Sequence, residues 1–251
     1  MKYIVFFILC LYTLPLYAKA KEELIFIINH PGSAPYLYFN EEQNEYQGAI
    51  PDLLKPLIES RKLNIKFISN SRKRSEEYIY QGNADLIMLS EFWLKKPEEV
   101  IATVPLHQHR SFLYMTEEFP DEFSLENTNE SEALCTKDGF FYPNLESHIK
   151  SKRLIRIDSS SHLSMLKMLF KHRCKYVVMN EFNALNLINS PFFNGEKLYH
   201  SKEPVSTVPL NIILRAELTH VKNILDKHIM ALKEKGELQR IIDKHTRYVE
   251  L

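Results

Sequence analysis

The chain has 251 residues, of which 45% are hydrophobic and 25% are charged, and its formal net charge is zero. This composition is typical of a globular protein with one large domain or two small ones. The balanced charge argues against a nucleic-acid-binding protein, whose surface needs an excess of basic residues to bind phosphates.

The N-terminal segment predicts export. Met1-Lys2 is followed by an apolar run at positions 3–17, which Pro15 interrupts, and then by Ala18-Lys19-Ala20. A charged start, an apolar stretch and an A-x-A-like site are typical of a cleaved signal peptide. A membrane anchor is the alternative, but the run is shorter than the roughly 20 residues that span a bilayer. We expect residues 1–20 to be removed and the mature protein to be a soluble periplasmic monomer.

The first half of the mature chain alternates strands and helices. The strands are predicted at Glu23–Asn29, Asn64–Ile68 and Ala84–Leu89. Between the first two, a helix is predicted near Asp52, as its cap or first-turn acid, with Pro56 close to that first turn, where a missing backbone donor is tolerated best. The basic run that begins at Ser71 predicts a short surface helix rather than a partner site. Strand–helix–strand spacing favours parallel pairing and an α/β fold.

The second half repeats this pattern. A helix is predicted over residues 162–173, whose leucines recur at helical spacing and indicate core packing. The polar segment Glu117–Glu132 is predicted to be a surface excursion between the halves. A long terminal helix is predicted after Glu217, with an interruption at Gly236. Three short strands are predicted at Ala133–Thr136, Leu154–Ile157 and Tyr176–Met179.

The cysteines of the mature chain are Cys135 and Cys174. An oxidising compartment permits a disulfide between them, and two buried thiols that pack as small apolar groups are the alternative. His107 and His109 come closest to a metal-ligand pattern, but two histidines without further ligands do not predict a site. We expect no metal and no cofactor.

Five weak motifs occur in a fixed order along the chain. They are Ala34-Pro35-Tyr36, Gly48-Ala-Ile-Pro-Asp52, Gln81-Gly-Asn-Ala-Asp85, Val104-Pro105-Leu106 and the terminal helix pattern Ala231–His245. With these motifs, the chain resembles the extracellular solute-binding proteins of family 3, the amino-acid-binding type, from about Leu24 to His245.

The resemblance implies an α/β, two-lobe periplasmic-binding-protein fold of type II with two crossing hinge strands. We place the crossings near Ser111–Met115 and Leu210–Leu214. Lobe 1 is then residues 21–112 and 213–251, and lobe 2 is residues 113–212. Such proteins hold a small-molecule ligand between the lobes and close on it by hinge motion.

The resemblance also implies ligand-binding positions. After the strand Ala84–Leu89 come Ser90 and Glu91, and the family's T-x-x-R motif falls on Trp93 and Lys96. Lysine is a single point charge and lacks the bidentate fork by which arginine holds a carboxylate. We expect Trp93 and Lys96 to share a helical turn and to act together on the ligand.

Lobe 2 departs from the family in the same way. The G-T-T turn is Gly139-Phe140-Phe141 here, followed by Tyr142, and the family's ammonium-binding Asp is Asn180, with Glu181 next to it. The resemblance therefore predicts a ligand other than an ordinary α-amino acid. Phe140 is expected in the core.

Aromatic and cationic side chains complete the predicted site. Tyr36, Trp93, Phe141 and Tyr142 offer flat faces suited to a ring, a sugar or a cation. For Trp93, packing between elements is the alternative to ligand contact. Arg110 is either an anion contact or a solvated surface residue.

Three classes of function follow from these residues. The first is a binding protein that serves a membrane transporter or a sensor receptor. The second is a degenerate fold that acts as a protein-interaction or sensory domain. The third is a dehydratase-like enzyme, for which only Glu91 and Glu181 offer an acid or base. We expect the first class and no catalysis.

Overall fold

The structure is a computed structural model that describes residues 23–30, 32–127 and 131–246. The predicted signal peptide lies outside these residues. Within the described ranges no helix is long and apolar enough to cross a membrane.

The strands are β1 (Leu24–Asn29), β2 (Gly32–Ser33), β3 (Leu37–Asn40), β4 (Glu45–Gln47), β5 (Ile65–Asn70), β6 (Leu86–Leu89), β7 (Val100–Ala102), β8 (His107–Met115), β9 (Glu132–Lys137), β10 (Leu154–Ser159), β11 (Tyr176–Asn180), β12 (Tyr199–His200) and β13 (Ser206–Arg215).

The helices cover the faces of the sheets. They are α1 (Ala49–Glu59), α2 (Arg72–Tyr80), α3 (Glu146–Lys150), α4 (His162–Phe170), α5 (Glu181–Ile188), α6 (Thr219–Glu234) and α7 (Glu237–Lys244). Every strand and helix predicted above overlaps one of these elements, so the predicted α/β alternation is confirmed.

The strands form a central sheet in the order β10-β9-β11-β8-β13-β6-β1-β5. One end consists of the parallel strands β1, β5 and β6, and we call this part, with helices α1, α2, α6 and α7, lobe 1. The other end consists of the parallel strands β9, β10 and β11, and we call this part, with α3, α4 and α5, lobe 2. The exact residue boundaries between the lobes stay a prediction.

Strands β8 and β13 connect the two lobes. They pair with each other in antiparallel register from Ser111–Ser206 to His107–Leu210. Beyond this segment β8 pairs with β11 in lobe 2, and β13 pairs with β6 in lobe 1. The crossing therefore lies about four residues before each predicted position. The apolar runs that were predicted to be the crossings are the buried parts of β8 and β13 that lie within a lobe. The crossing segment of β8 alternates between exposed and half-buried residues.

Each lobe has its own apolar core. In lobe 1, α1 packs Leu53, Leu54 and Leu57 against β1, β6 and the terminal helices. This helix begins at Ala49, so Pro56 lies in its interior rather than near its first turn as predicted, while Asp52 does lie in the first turn.

The lobe 2 core contains a disulfide. Cys135 on β9 is bonded to Cys174, just before β11, with their Cα atoms 5.8 Å apart. Both residues are buried and pack with Met165 and Leu166 of α4. This bond decides between the two alternatives that the sequence leaves open.

The polar segment after β8 does not separate the lobes, because the strands on either side of it, β8 and β9, both belong to the lobe 2 part of the sheet. Its Phe119 and Phe123 pack on Tyr176, with ring centroids 6.2 and 5.8 Å away. These two aromatic residues therefore hold the described part of the polar segment against lobe 2.

Candidate functional site between the lobes

Two histidines on the crossing strand lie where the lobes meet. His107 and His109 are two residues apart on β8, so their side chains point to the same side of the strand. The neighbouring side chains come from both lobes: Tyr36 and Trp93 from lobe 1, and Asn180 and Phe182 from lobe 2. We call these six residues the inter-lobe site.

His107 is enclosed by one ring from each lobe. Its ring centroid lies 6.2 Å from that of Tyr36 and 5.8 Å from that of Phe182, and the Tyr36 and Phe182 rings are 5.9 Å apart in an edge-to-face arrangement. Nearby, the hydroxyl of Ser33 donates to Oδ1 of Asn183 at 3.2 Å. These contacts join the loop after β1 to helix α5 across the lobe boundary.

His109 is held in the same manner on its two sides. The indole of Trp93 meets its ring edge-on, with centroids 4.9 Å apart and planes at 87°. On the lobe 2 side, Nδ2 of Asn180 lies 3.4 Å from Nδ1 of His109. Burial, together with the nearby His107 and His162, lowers the pKa of His109 to about 3. The imidazole is therefore neutral at physiological pH.

Asn180 organises the lobe 2 side. It is the N-cap of α5, and its Oδ1 accepts a hydrogen bond from the backbone N–H of Phe182 at 2.9 Å. Its Nδ2 donates to the backbone carbonyl of Arg110 at 3.0 Å. An amide can both cap the helix and donate to a carbonyl, whereas the family's carboxylate at this position can only accept.

Two buried hydroxyls lack a hydrogen-bond partner among the described residues. They belong to Tyr36, which is 2% exposed, and Ser90, which is fully buried. The Oδ1 atoms of Asn29 and Asn211 share this property. Asn29 ends β1, Ser90 directly follows β6, and Asn211 pairs with Leu89 at the end of β6. Buried polar atoms are nearly always hydrogen-bonded, so a group of unpaired ones at the carboxyl edge of a parallel sheet indicates a place for a polar ligand or water.

Helix α2 fixes the loop that carries Trp93. Arg72 donates to the Trp93 carbonyl at 3.1 Å, and Glu76 accepts from the backbone N–H of Lys95 at 2.7 Å. Arg72 and Glu76 also form an ion pair at 2.8 Å, with side chains only 11% and 8% exposed. Sequence reasoning treated this basic run as a solvated helix face. The helix is confirmed, but these two residues position the loop that carries Trp93.

Lys96 is separated from Trp93. A 3₁₀ turn spans Glu91–Trp93 and ends at Leu94, and Lys96 precedes a second turn at Pro97–Glu99. The ammonium group of Lys96 pairs with Glu99 at 2.9 Å and lies 5.5 Å from the centre of the Tyr80 ring. The expected shared helical turn is therefore wrong, because the proline that follows Lys96 begins a new turn.

Arg110 and Glu181 bind each other. Nε and Nη2 of Arg110 donate to the two carboxylate oxygens of Glu181 at 2.9 and 2.6 Å. This hydrogen bonding raises the pKa of Arg110. The guanidinium is half exposed and engaged in a bidentate ion pair, and a role of Arg110 as an anion contact stays a prediction.

The remaining predicted residues differ in their burial. Glu91 is exposed, and Phe141 is 50% exposed. Tyr142 points inward, and its hydroxyl accepts from the backbone N–H of Lys137 at 3.2 Å. Burial raises the pKa of Tyr142 to about 12. Phe140, expected in the core, is half-buried and lies 6.1 Å from the ring of His162.

The structure thus brings Tyr36, Trp93 and Asn180 together, with Ser90 at the adjacent strand end and Arg110 and Glu181 beside them. It places Lys96 in a contact with Glu99 instead. Sequence reasoning missed three residues of the inter-lobe site: His107, His109 and Phe182. The described residues contain no group of three or more His, Cys, Asp or Glu side chains arranged to hold a metal ion.

The sequence model of the family of bacterial extracellular solute-binding proteins, family 3, matches residues 25–248. The chain belongs to this family. No curated protein sequence matches it significantly.

Solved structures show the same fold at low identity. A histidine kinase sensor domain with similarity to periplasmic binding proteins superposes with a TM-score of 0.74 at 14% identity, over 92% of this chain and 99% of that one. The substrate-binding protein of an amino acid ABC transporter gives 0.71 at 12% identity, over 89% and 99%. The L-arginine-bound AbpA from Streptococcus pneumoniae gives 0.70 at 16% identity, over 90% and 94%. The two-lobe α/β fold predicted from the sequence is confirmed, and the similar structures include a sensor domain of a histidine kinase and a binding protein of a transporter.

Proposed function

We propose that this protein is an exported, periplasmic solute-binding protein that captures a small ligand between its lobes and presents it to a membrane transporter or a sensor receptor. The observation that carries the proposal is the pair of buried, unpartnered hydroxyls of Tyr36 and Ser90 beside the inter-lobe site. A buried donor without a partner costs about 1–3 kcal/mol, so a ligand that satisfies both hydroxyls stabilises the arrangement.

Export is supported by two independent features. The first 20 residues have the charge and apolar pattern of a cleaved signal. The Cys135–Cys174 disulfide is a bond that persists in oxidising compartments and is rare in the cytosol.

The ion pairs of the charged side chains support a ligand other than an ordinary α-amino acid. Lys96 pairs with Glu99, and Arg110 pairs with Glu181, so neither cation is offered to a ligand carboxylate. Asn180, which replaces the family's Asp, carries no charge to hold an ammonium group. The same contacts support a non-enzymatic role, because Glu181, one of the two acid–base candidates, is held by Arg110.

A protein-interaction domain is the second candidate. It is favoured by three large exposed apolar side chains, those of Phe92, Leu185 and Phe192, which are 63%, 52% and 64% exposed.

Native mass spectrometry of the protein expressed with its own leader distinguishes the solute-binding role from the protein-interaction role. We expect a mature mass that lacks residues 1–20 and an additional co-purified small molecule, or a thermal shift with a member of a solute library. A matched Ser90→Ala variant should retain less of this molecule than the wild type. A correctly cleaved protein that binds no solute in either assay would favour the interaction-domain role.

A further inference from the structure

Four basic side chains gather where the lobes meet. His107 and His109 come from β8, Lys137 is the last residue of β9, and His162 is the first residue of α4. Lys137 reaches from the end of β9 to the backbone carbonyl of Ser160, two residues before His162, and His109 lies against Asn180 at the end of the neighbouring strand β11. The charge of Lys137 lowers the pKa of His162, and His107 and His162 lower the pKa of His109. Positive charges repel one another more strongly where little water separates them, so these four side chains form one electrostatic unit. We call it the basic cluster.

Lys137 is held by neutral groups only. Its ammonium group donates to the backbone carbonyl of Ser160, and its backbone N–H donates to the hydroxyl of Tyr142. In the parts of the chain that the structure describes, no carboxylate oxygen lies within 4.0 Å of its Nζ. Burial lowers the pKa of Lys137, and neighbouring Asp138 opposes this effect. A half-buried cation without a counter-ion is unfavourable unless an anion joins it.

His162 faces the same space from helix α4. Its ring lies against Phe140 at 6.1 Å, and the preceding Ser161 caps the helix. Burial and Lys137 lower its pKa to about 4. The N-terminus of α4 adds a partial positive charge at this position.

Acidic groups act on two members of the basic cluster, Lys137 and His107, but not on His109 and His162. Glu181 acts on His107, but it is already in a bidentate pair with Arg110, and Asp243 contributes a further effect on His107. No carboxylate contributes to the lowered pKa of His109 or to that of His162. An anionic group from outside the protein would complete this arrangement.

The inter-lobe site also supplies an apolar and hydrogen-bonding surface. Trp93 and Phe140 contact His109 and His162 respectively, so flat rings border the basic cluster on both lobes. The hydroxyls of Tyr36 and Ser90 are buried and have no hydrogen-bond partner among the described residues. An ammonium group finds no matching partner at Asn180, whose side chain caps α5.

We propose that the ligand is a small organic acid with a flat or cyclic body and no ammonium group, and that its carboxylate is bound by Lys137, His162 and His109. This inference rests on the proposed solute-binding function and names the class of solute. Binding an anion beside neutral imidazoles raises their pKa and favours their protonation, so ligand binding is coupled to proton uptake and becomes tighter as the pH is lowered.

A panel of matched compounds tests the inference by calorimetry at pH 6 and pH 8. Benzoate, cyclohexanecarboxylate and 3-phenylpropanoate represent the acids. L-phenylalanine carries both charges, and 2-phenylethylamine carries the ammonium alone. We expect an acid to bind at least tenfold more tightly than the amino acid and the amine, with proton uptake detected as a dependence of the measured heat on the buffer's ionisation enthalpy.

Variants locate the binding group. Lys137→Met should weaken acid binding about tenfold or more, the scale of a lost charge-assisted hydrogen bond. His162→Gln should reduce the proton uptake. Lys150→Met and His148→Gln, which make the same changes on the lobe 2 helix α3, should leave both measurements unchanged, and melting temperatures confirm that all four variants are folded.

The possible results separate this inference from the proposed function. Tighter binding of the amine or the amino acid, or acid binding that is unaffected by Lys137→Met in a folded protein, overturns the inference and leaves solute binding intact. A protein that binds no member of this panel and no member of the solute library contradicts the proposed function itself, and the organic-acid class falls with it.

Discussion

The indole of Trp93 meets the imidazole of His109 edge-on at 4.9 Å, which places a lobe 1 side chain directly against the strand that joins the lobes. A movement of lobe 1 about β8 and β13 must change this contact. Trp93 is also the only tryptophan of the chain, so its fluorescence reports on the lobe interface.

Substitution of this tryptophan distinguishes ligand contact from packing. Trp93→Ala should weaken ligand binding by more than about 1 kcal/mol, the scale of an aromatic contact, and abolish the ligand-induced change in fluorescence. Trp93→Phe is the control, because it removes the fluorescence and keeps an aromatic face, so its affinity should stay close to that of the wild type. A large drop in melting temperature of Trp93→Ala with unchanged affinity would show that Trp93 only packs the loop.

The disulfide should contribute strongly to the stability of lobe 2. Cys135 and Cys174 are 39 positions apart. The loop-closure model assigns a bond of this span about 4 kcal/mol of stability. We expect the Cys135→Ala/Cys174→Ala variant, and the wild type in reducing agent, to show a clearly lower midpoint of urea unfolding. An unchanged midpoint would mean that lobe 2 does not depend on the bond.

The stability of the protein should fall in mild acid because of its half-buried histidines. The pKa values of His109 and His162 in the folded protein are about 3 and about 4, well below the ordinary value of 6.5. Folding therefore favours the neutral rings, and this contribution is present above pH 6.5 and is lost progressively as the pH falls towards 4. Lowered pKa values of Asp52 and Asp158 add a further loss in more acidic solution.

Melting temperatures between pH 8 and pH 4 check this expectation. His109→Gln should have a flatter profile between pH 6.5 and 4 than the wild type, because its side chain does not titrate. His148→Gln on α3 should follow the wild-type profile. If the profile of His109→Gln is as steep as that of the wild type, the pH dependence arises from other groups.

The twenty standard amino acids should bind poorly. Lys96, Phe141 and Asn180 stand where the family has Arg, Thr and Asp, and a lost charge-assisted hydrogen bond costs on the order of 1.5–3 kcal/mol. Several such losses place the dissociation constants far above micromolar. Calorimetry with each amino acid measures this directly, and tight binding of any of them refutes the prediction.

The sequence allowed the architecture to be predicted because its signals are local. The apolar runs of β1, β6 and β11 and the helical spacing of Val221, Leu225 and Leu232 each identify a buried face without knowledge of the rest. Helix α5 was missed, although Asn180 followed by Glu181 is a recognisable start signal, because the preceding strand and the family position of Asn180 drew the interpretation towards a ligand role.

The site was predicted only in part because its contacts join distant segments. Tyr36, His107 and Phe182 come from three separate parts of the chain, and nothing in the local sequence indicates that their rings meet. The pairing of Arg110 with Glu181 across 71 positions is equally invisible to a local pattern. The family motif pointed to Trp93, which lies against His109, and to Lys96, which pairs with Glu99.

Small-angle X-ray scattering tests the central claim of ligand-induced closure most directly. Scattering curves of the mature protein, with and without a saturating solute identified in the thermal-shift or calorimetric screens, give the radius of gyration of each state. We predict that the solute decreases the radius of gyration and that Tyr36→Ala, which removes the ring contact between the loop after β1 and α5, reduces this change. A bound solute that leaves the scattering curve of the wild type unchanged would contradict closure of the lobes on the ligand.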